Sequence, residues 1–383
     1  MNNFQYRNPV EIVFGKGTIS KLSSLIPSGS HVLMTYGGGS IKKNGVYDQV
    51  KTALADFRIS EFSGIEPNPS YETLMKAVSI VKEQNVDFLL PVGGGSVLDG
   101  TKFIAAAAKY SGTDPWDILE KGAEVSAAVP FGAVLTLPAT GSEMNGFAVI
   151  SKKATDQKLA FYSPLVFPKF SILDPETTFS LPDRQIANGI VDAFIHVCEQ
   201  YMTFPVNAPL QDRQAEAIYL TLIEEGPKTL ADKTDYEARA NLMWAATQAL
   251  NGWINCGVPQ DWTTHVIGHE ITALKGIDHA RTLALVLPAL WKHQRQEKGD
   301  KLVQFANRVW GITGGNRETV IDQAIAKTSE FFASVGIKPS KQEFGLTDED
   351  CGKIASRLGK RGLLGERGNL GEKQIAEILD LCE

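Results

Sequence analysis

Asp87-Phe-Leu-Leu-Pro-Val92-Gly93-Gly94-Gly95-Ser96-Val-Leu-Asp99-Gly-Thr-Lys102 runs from a short apolar stretch through three glycines into an alanine-rich segment that ends at Lys109. The apolar run is too short for a helix and closes on glycines, so it reads as a buried strand. Val97–Lys109 reads as a helix. A strand that turns directly into a helix is the building unit of a parallel sheet covered on both faces. Working outward, the alternation recurs. Glu11–Phe14 and His31–Thr35 read as strands, Ser40 to about Asp56 as a helix and Arg58–Phe62 as a strand. Tyr71–Gln84 has apolar residues at 74, 75, 77, 78 and 81, which is helical spacing. Phe131–Thr136 is a further strand. Phe147–Ser151 and Lys158–Tyr162 flank a polar turn and read as a hairpin, and Phe170–Asp174 ends the strand-rich half.

From Pro182 onward strand signals nearly vanish. Helical stretches follow at about 183–202, 207–223, 235–252, 260–275, 281–298, 299–311, 317–334 and 349–358. The expected fold is therefore an α/β N-terminal domain with a parallel nucleotide-binding sheet, residues 1–181, followed by an all-α C-terminal domain, residues 182–383.

Composition narrows the function. The chain has 383 residues, enough for two domains and a large core. It carries 38 basic and 44 acidic residues, a net charge of −6 with no basic block, so nucleic acid and anionic membranes are not expected partners. The N-terminus lacks the apolar core of a signal peptide. No uncharged apolar run approaches the roughly 18 residues of a spanning helix. Cys198, Cys256, Cys351 and Cys382 are widely spaced with no CxxC pattern, which points to reduced thiols and a cytoplasmic location.

Two glycine-rich turns bear on a cofactor. In Gly93–Ser96 the backbone can approach a pyrophosphate, and the helix N-terminus attracts its charge. The plain alternative is a tight turn in which Ser96 and Asp99 cap the helix. That alternative does not account for three consecutive glycines, and the GxGxxG fingerprint is absent. The second turn, Thr35-Tyr-Gly37-Gly38-Gly39-Ser40-Ile-Lys42-Lys43, also lies between strand and helix. It lacks the acid that an NAD site commonly places on the adenosine ribose, and two lysines follow it. It would tolerate a 2′-phosphate, or be a plain turn with surface lysines.

Three of the six histidines fall in Gln260–His279. His265 and His269 are four apart, as are Asp192 and His196 upstream, so on helices each pair projects from one face. The flanking residues are apolar, so these helices look buried. Buried imidazoles and a buried carboxylate need partners, which a shared Fe²⁺ or Zn²⁺ supplies. The working assignment is one metal held by Asp192, His196, His265 and His279, against the plainer reading of satisfied core pairs.

These motifs together resemble the iron-containing alcohol dehydrogenase family, in its NADPH-dependent aldehyde reductase and butanol dehydrogenase branch. The resemblance spans essentially the whole chain and rests on GGGSVLDGTK at 93–102, TLPATGSE at 136–143, NGIVDAFIHVCEQ at 188–200 and GVPQDWTTHVIGHEITALKGIDHA at 257–280. It implies a dehydroquinate synthase-like fold, with metal ligands at Asp192, His196, His265 and His279. His269 falls near the nicotinamide as a candidate proton relay. The resemblance places the pyrophosphate on Gly94, Gly95 and Ser96 with Asp99 close by. Thr136, Thr140 and Asn145 lie towards the nicotinamide, and Asn68 and Lys158 line the cofactor. Gly38 and Ser40, in the Gly37-Gly38-Gly39-Ser40 turn, match the ribose and 2′-phosphate position. Many members carry an aspartate in that turn and tend to use NAD; its replacement by glycine here favours NADP. A homodimer in contact through Phe4–Phe14 is also implied.

One carboxylate and three neutral imidazoles leave a divalent ion with a net charge of about +1, still a Lewis acid for a substrate carbonyl. The expected reaction is hydride transfer between NADP(H) and aldehydes or primary alcohols. A dehydroquinate synthase-like lyase would need several basic residues near the metal, and between 251 and 280 only Lys275 is basic. A non-catalytic nucleotide- or metal-binding protein is the third reading. Trp253, Trp262 and Phe147 are candidates either for the substrate pocket or for core packing.

Overall fold

A computed structural model describes residues 1–383. Eight strands are present: β1 (Glu11–Phe14), β2 (His31–Thr35), β3 (Arg58–Phe62), β4 (Phe88–Gly94), β5 (Ala133–Leu137), β6 (Phe147–Lys152), β7 (Gln157–Tyr162) and β8 (Phe170–Leu173). Helices of eight residues or more are α1 (Val46–Ala53), α2 (Tyr71–Glu83), α3 (Gly95–Lys109), α4 (Asp183–Tyr201), α5 (Pro209–Ala231) and α6 (Tyr236–Ala249). They continue with α7 (Thr263–Lys275), α8 (His279–His293), α9 (Gly299–Arg308), α10 (Arg317–Ser334), α11 (Asp348–Arg361) and α12 (Glu372–Asp380).

Six strands form one parallel sheet in the order β1-β8-β5-β4-β2-β3, and β6 and β7 form a separate antiparallel hairpin. Side chains alternate between the faces of a strand, and two cores result. Val32, Met34, Phe88, Leu90 and Val92 join Val46 and Val50 on one side. Leu33 and Leu89 join Leu74, Val78, Phe103 and Ile104 on the other. Central β2 and β4 are therefore buried on both faces, as their unbroken apolar runs require. From β2 the chain first adds β3 on one side, then returns to add β4 on the other. The strand order thus reverses between β2 and β4, and crevices outside the carboxyl ends of strands at such a point are where open α/β sheets bind ligands.

Several elements differ from the reading of the sequence. The helix expected over Ser40–Asp56 is broken: a short turn, Ser40–Lys43, is followed by α1 after Gly45, whose φ is 81°. Asn44 Oδ1 accepts the Val46 N–H at 3.2 Å there. Helix α5 continues through Pro227 to Ala231, where the sequence suggested an end near 223. Helix α12 was not anticipated; Ile375, Ile378 and Leu379 bury its apolar face.

Compact units cut the chain less simply than 1–181 and 182–383. One unit comprises Arg7–Leu181 with Lys233–Thr247; the other comprises Met1–Tyr6, Pro182–Asp232 and Gln248–Glu383. Long-range contacts drive the exchange. Met243 of α6 packs with Leu98, Ala133, Leu135 and Leu173, and Thr247 Oγ1 donates to Glu143 Oε1 at 2.5 Å. At the other end, the Asn2 N–H bonds Gly257 O at 2.8 Å and Tyr6 packs edge-on to Trp253. No helix is long and apolar enough to cross a membrane.

Candidate functional site

In the sheet unit, the residues expected along a nucleotide follow the carboxyl ends of neighbouring strands. Gly37–Ser40 follow β2, Asn68 lies beyond β3, Gly94–Asp99 span the β4–α3 junction, and Thr136, Thr140 and Asn145 belong to or follow β5. Because α3 is fifteen residues long and starts at Gly95 with Gly94 as its N-cap and no capping side chain, its first N–H groups have no side-chain acceptor there. The expected Ser96–Asp99 cap does not form. Asp99 instead accepts the Ser142 hydroxyl at 2.6 Å and the Val149 N–H at 3.0 Å, tying α3 to the hairpin.

The glycine triplet also has a packing cause. A Cβ on Gly93 would lie 2.6 Å from Val97, on Gly94 2.9 Å from Leu137 and on Gly95 2.6 Å from Thr140. The other turn is different: a Cβ on Gly38 would meet nothing within 4 Å, while Gly39 has φ +91° and a Cβ on Gly37 would lie 3.1 Å from the Ile65 carbonyl oxygen. Lys42 sits over the Tyr36 and Tyr47 rings, 5.2 and 4.8 Å from their centroids. Asn68 holds a left-handed φ of 55° and accepts from Lys158 Nζ at 2.8 Å, so two residues ninety apart in sequence are brought together.

Behind these turns lies a charged cluster that the sequence reading did not single out. Lys102 is fully buried on α3, donating to Asn145 Oδ1 at 3.0 Å and Phe147 O at 2.8 Å. Asn145 in turn donates to Gly141 O at 2.8 Å, so the lysine shapes the 138–146 turn. Burial pushes the Lys102 ammonium down to about 8, with Asp99 and Glu143 opposing the fall. Burial likewise pushes the Asp99 and Glu143 carboxyls up. Unfolded lysine titrates near 10.4, so below pH about 8 Lys102 is protonated in both states and the folded state carries the full cost of the buried charge. Above that pH the unfolded chain binds more protons here, and stability rises with pH. Urea unfolding at about pH 7.5 and about pH 9.5 is expected to show wild type gaining about 2 kcal/mol more than Lys102→Met. Equal gains in both proteins would refute the assignment.

In the helical unit, Asp192 and His196 lie one turn apart on α4, His265 and His269 on α7, and His279 opens α8. Donor atoms of Asp192, His265 and His279 lie within 4.8 Å of one another. Asp192 Oδ1 is 3.9 Å from His265 Nε2 and 4.0 Å from His279 Nε2, and Asp192 Oδ2 is 3.9 Å from His196 Nδ1. Ligands about 2.1 Å from a tetrahedral ion stand roughly 3.4 Å apart, so the donors need only a small contraction. Asp192 Oδ1 is buried with no hydrogen-bond partner, which is costly unless a cation completes the site. His196 is outside the mutually converging trio, but its ring stacks on His265 with centroids 4.7 Å apart. His269 is also outside it; its ring is partly exposed, 4.7 Å from that of His279. Of the three aromatic candidates, Trp262 lies edge-on to His265 at 5.4 Å. Phe147 pairs with Tyr162 and is exposed, and Trp253 packs on Tyr6.

Helix α4 also anchors the segments that bear the other histidines. Arg184 Nε and Nη2 both donate to Asp278 at 2.5 Å, and Asn188 Nδ2 adds a bond at 2.9 Å, holding the residue just before His279. Glu199 reaches His265 through both its backbone N–H and its ring Nδ1. These residues were missed, although 184, 188 and 192 follow one another at i, i+4, and 199 falls three after 196. Helical spacing alone would have placed them on the face of Asp192 and His196.

Comparison with known proteins agrees across the chain. Residues 9–175 match the family described as iron-containing alcohol dehydrogenase, and residues 186–381 match the C-terminal part of the Fe-containing alcohol dehydrogenase family. The NADPH-dependent aldehyde reductase YqhD of Escherichia coli is 57% identical over 97% of both chains. The NADH-dependent butanol dehydrogenase B of Clostridium acetobutylicum is 40% identical over 100% of this chain and 99% of the other. A crystal structure of E. coli YqhD superposes with a TM-score of 0.98 at 54% identity, covering 100% of this chain and 99% of that one. The NADH-dependent butanol dehydrogenase A of Thermotoga maritima superposes at 0.95 with 38% identity, over 100% and 99% of the two chains.

Proposed function

The chain belongs to the iron-containing alcohol dehydrogenase family, and from that premise we propose that it is an NADPH-dependent, metal-dependent reductase of aldehydes to primary alcohols. The observation that carries the reading is the convergence of Asp192, His265 and His279 on a buried carboxylate oxygen that no hydrogen bond satisfies. Asp192, His196, His265 and His279 are the proposed ligands of one Fe²⁺ or Zn²⁺. Relatives that use NADPH and relatives that use NADH both match this chain, so the coenzyme is argued from the Gly37–Ser40 turn. It presents no carboxylate to a 2′-phosphate and has lysines 42 and 43 beside it.

Bound, the divalent ion would supply a Lewis acid for the carbonyl oxygen, and the nicotinamide a hydride for its carbon. The chain's own residues supply the rest. Asp192 would be the one charged donor beside three imidazoles, so a bound divalent ion would keep a net positive charge of about +1. The N–H groups at Gly94, Gly95 and Ser96 open α3 and suit a pyrophosphate. Asp99 would lie close to the cofactor, Thr136, Thr140 and Asn145 along it towards the nicotinamide, and Asn68 and Lys158 would line it. His269, beside His279 and partly exposed, is the proposed proton donor to the product oxygen through a ring nitrogen. Lys275, the basic residue between 251 and 280, is paired with Asp350 at 2.7 Å, which disfavours an anionic lyase substrate there.

The family reading also carries a homodimer in contact through Phe4–Phe14, whose two end phenylalanines are exposed in the single chain. The test of the activity is a steady-state comparison of NADPH with NADH across short and medium aldehydes, with metal analysis of the same sample. NADPH consumption at several-fold higher kcat/KM than NADH, with close to one metal per chain, is the expected result. NADPH binding without turnover on any aldehyde would overturn it.

A further inference from the structure

Glu199 lies on α4, one turn beyond His196, and is 3% exposed. Its Oε1 accepts the backbone N–H of His265 at 3.0 Å, and its Oε2 contacts His265 Nδ1. Its own carbonyl accepts the Asp261 N–H at 2.8 Å, just before α7 begins. The His265 N–H belongs to the first turn of α7, where backbone donors have no partner within the helix. One carboxylate on α4 therefore meets two nitrogens of a single residue on α7. Resting on the metal site proposed above, we infer that Glu199 is a positioning residue of that centre: it sets the His265 tautomer, with the proton on Nδ1, and directs Nε2 at the metal.

An ionised carboxylate only accepts, so with Oε1 taking the backbone N–H, the Oε2 contact calls for the proton on Nδ1. With Nδ1 protonated and bonded to Oε2, the lone pair of the imidazole sits on Nε2, the atom 3.9 Å from Asp192 Oδ1. Carboxylate–histidine contacts of this kind orient metal-ligating imidazoles and raise their basicity. A glutamine of the same shape has only one acceptor. If its oxygen keeps the backbone N–H, its NH₂ faces Nδ1 and favours the tautomer protonated on Nε2, which cannot ligate. If its oxygen keeps Nδ1, its NH₂ faces the backbone N–H and the cap is lost. A role confined to capping α7 predicts a change in stability with the metal affinity unmoved.

The experiment compares wild type, Glu199→Gln, Glu199→Asp and His265→Ala. Zn²⁺ affinity is measured by competition with a chromophoric chelator, the Co²⁺-substituted proteins by visible absorption, and the metal-free folds by circular dichroism. Glu199→Gln is expected to weaken Zn²⁺ binding about 10- to 100-fold and to alter the Co²⁺ bands. Glu199→Asp keeps both acceptors on a shorter stem and is expected to lose less; it also decides the matter should the glutamine variant not fold. Wild-type Zn²⁺ affinity and Co²⁺ bands in the folded Glu199 variants, with His265→Ala unable to bind, would overturn the positioning role and leave the metal site standing. Wild-type Zn²⁺ affinity in His265→Ala would instead bring down the metal site and this inference with it.

Discussion

Replacing His265 by alanine is expected to remove metal and activity together while the fold survives. His265 is the buried histidine of the trio, its Nε2 stands 3.9 Å from Asp192 Oδ1, and its ring contacts both His196 and Trp262. Its loss removes one donor and leaves the Glu199 carboxylate facing a vacated space, so the remaining ligands no longer close a site. Lewis-acid stabilisation is worth several kcal/mol of transition-state energy. About 4 kcal/mol corresponds to roughly a thousandfold in kcat/KM. The sheet unit has its own cores and should keep its structure. Metal analysis, NADPH oxidation with an aldehyde and circular dichroism on one preparation make the test. A variant that is metal-free and still active would end the reading of a metal-dependent reductase.

Gly38→Asp is expected to turn coenzyme preference from NADPH towards NADH. Of the three glycines in that turn, only position 38 combines an ordinary φ with open space around a new Cβ. A carboxylate can therefore be added there without backbone strain. Opposite a 2′-phosphate it brings like charges together, at a cost of several kcal/mol. With NADH it can accept a ribose hydroxyl instead. A loss on the order of a hundredfold in kcat/KM for NADPH follows from about 3 kcal/mol, with NADH unchanged or improved. Unaltered NADPH kinetics would place the adenosine end elsewhere. Gly39→Asp is the control: its φ of +91° predicts strain with either coenzyme.

Much of this was legible in the sequence because it depends on short-range periodicity. Strand β3 and helix α10 appear with the bounds their patterns suggested. Four-residue spacing put Asp192 with His196 and His265 with His269 on single faces, since helical rise and twist alone decide that. The Asn44-Gly45 break is also written in the residues, a turn pair inside an otherwise helical pattern.

What only the folded chain decided are relations between residues far apart in sequence. Spacing cannot say that Gly95 must lack a side chain because Thr140 approaches it, or that Lys102 supports the turn after β5. It cannot order the strands as β1-β8-β5-β4-β2-β3, nor assign Met243 to the sheet core and Tyr6 to the helical unit. Glu199 and His265 are separated by 66 positions and meet because α4 and α7 both pack against α8. Local sequence sets which way each side chain points along its own element; which partner waits there is settled by packing, where distant segments exclude water together.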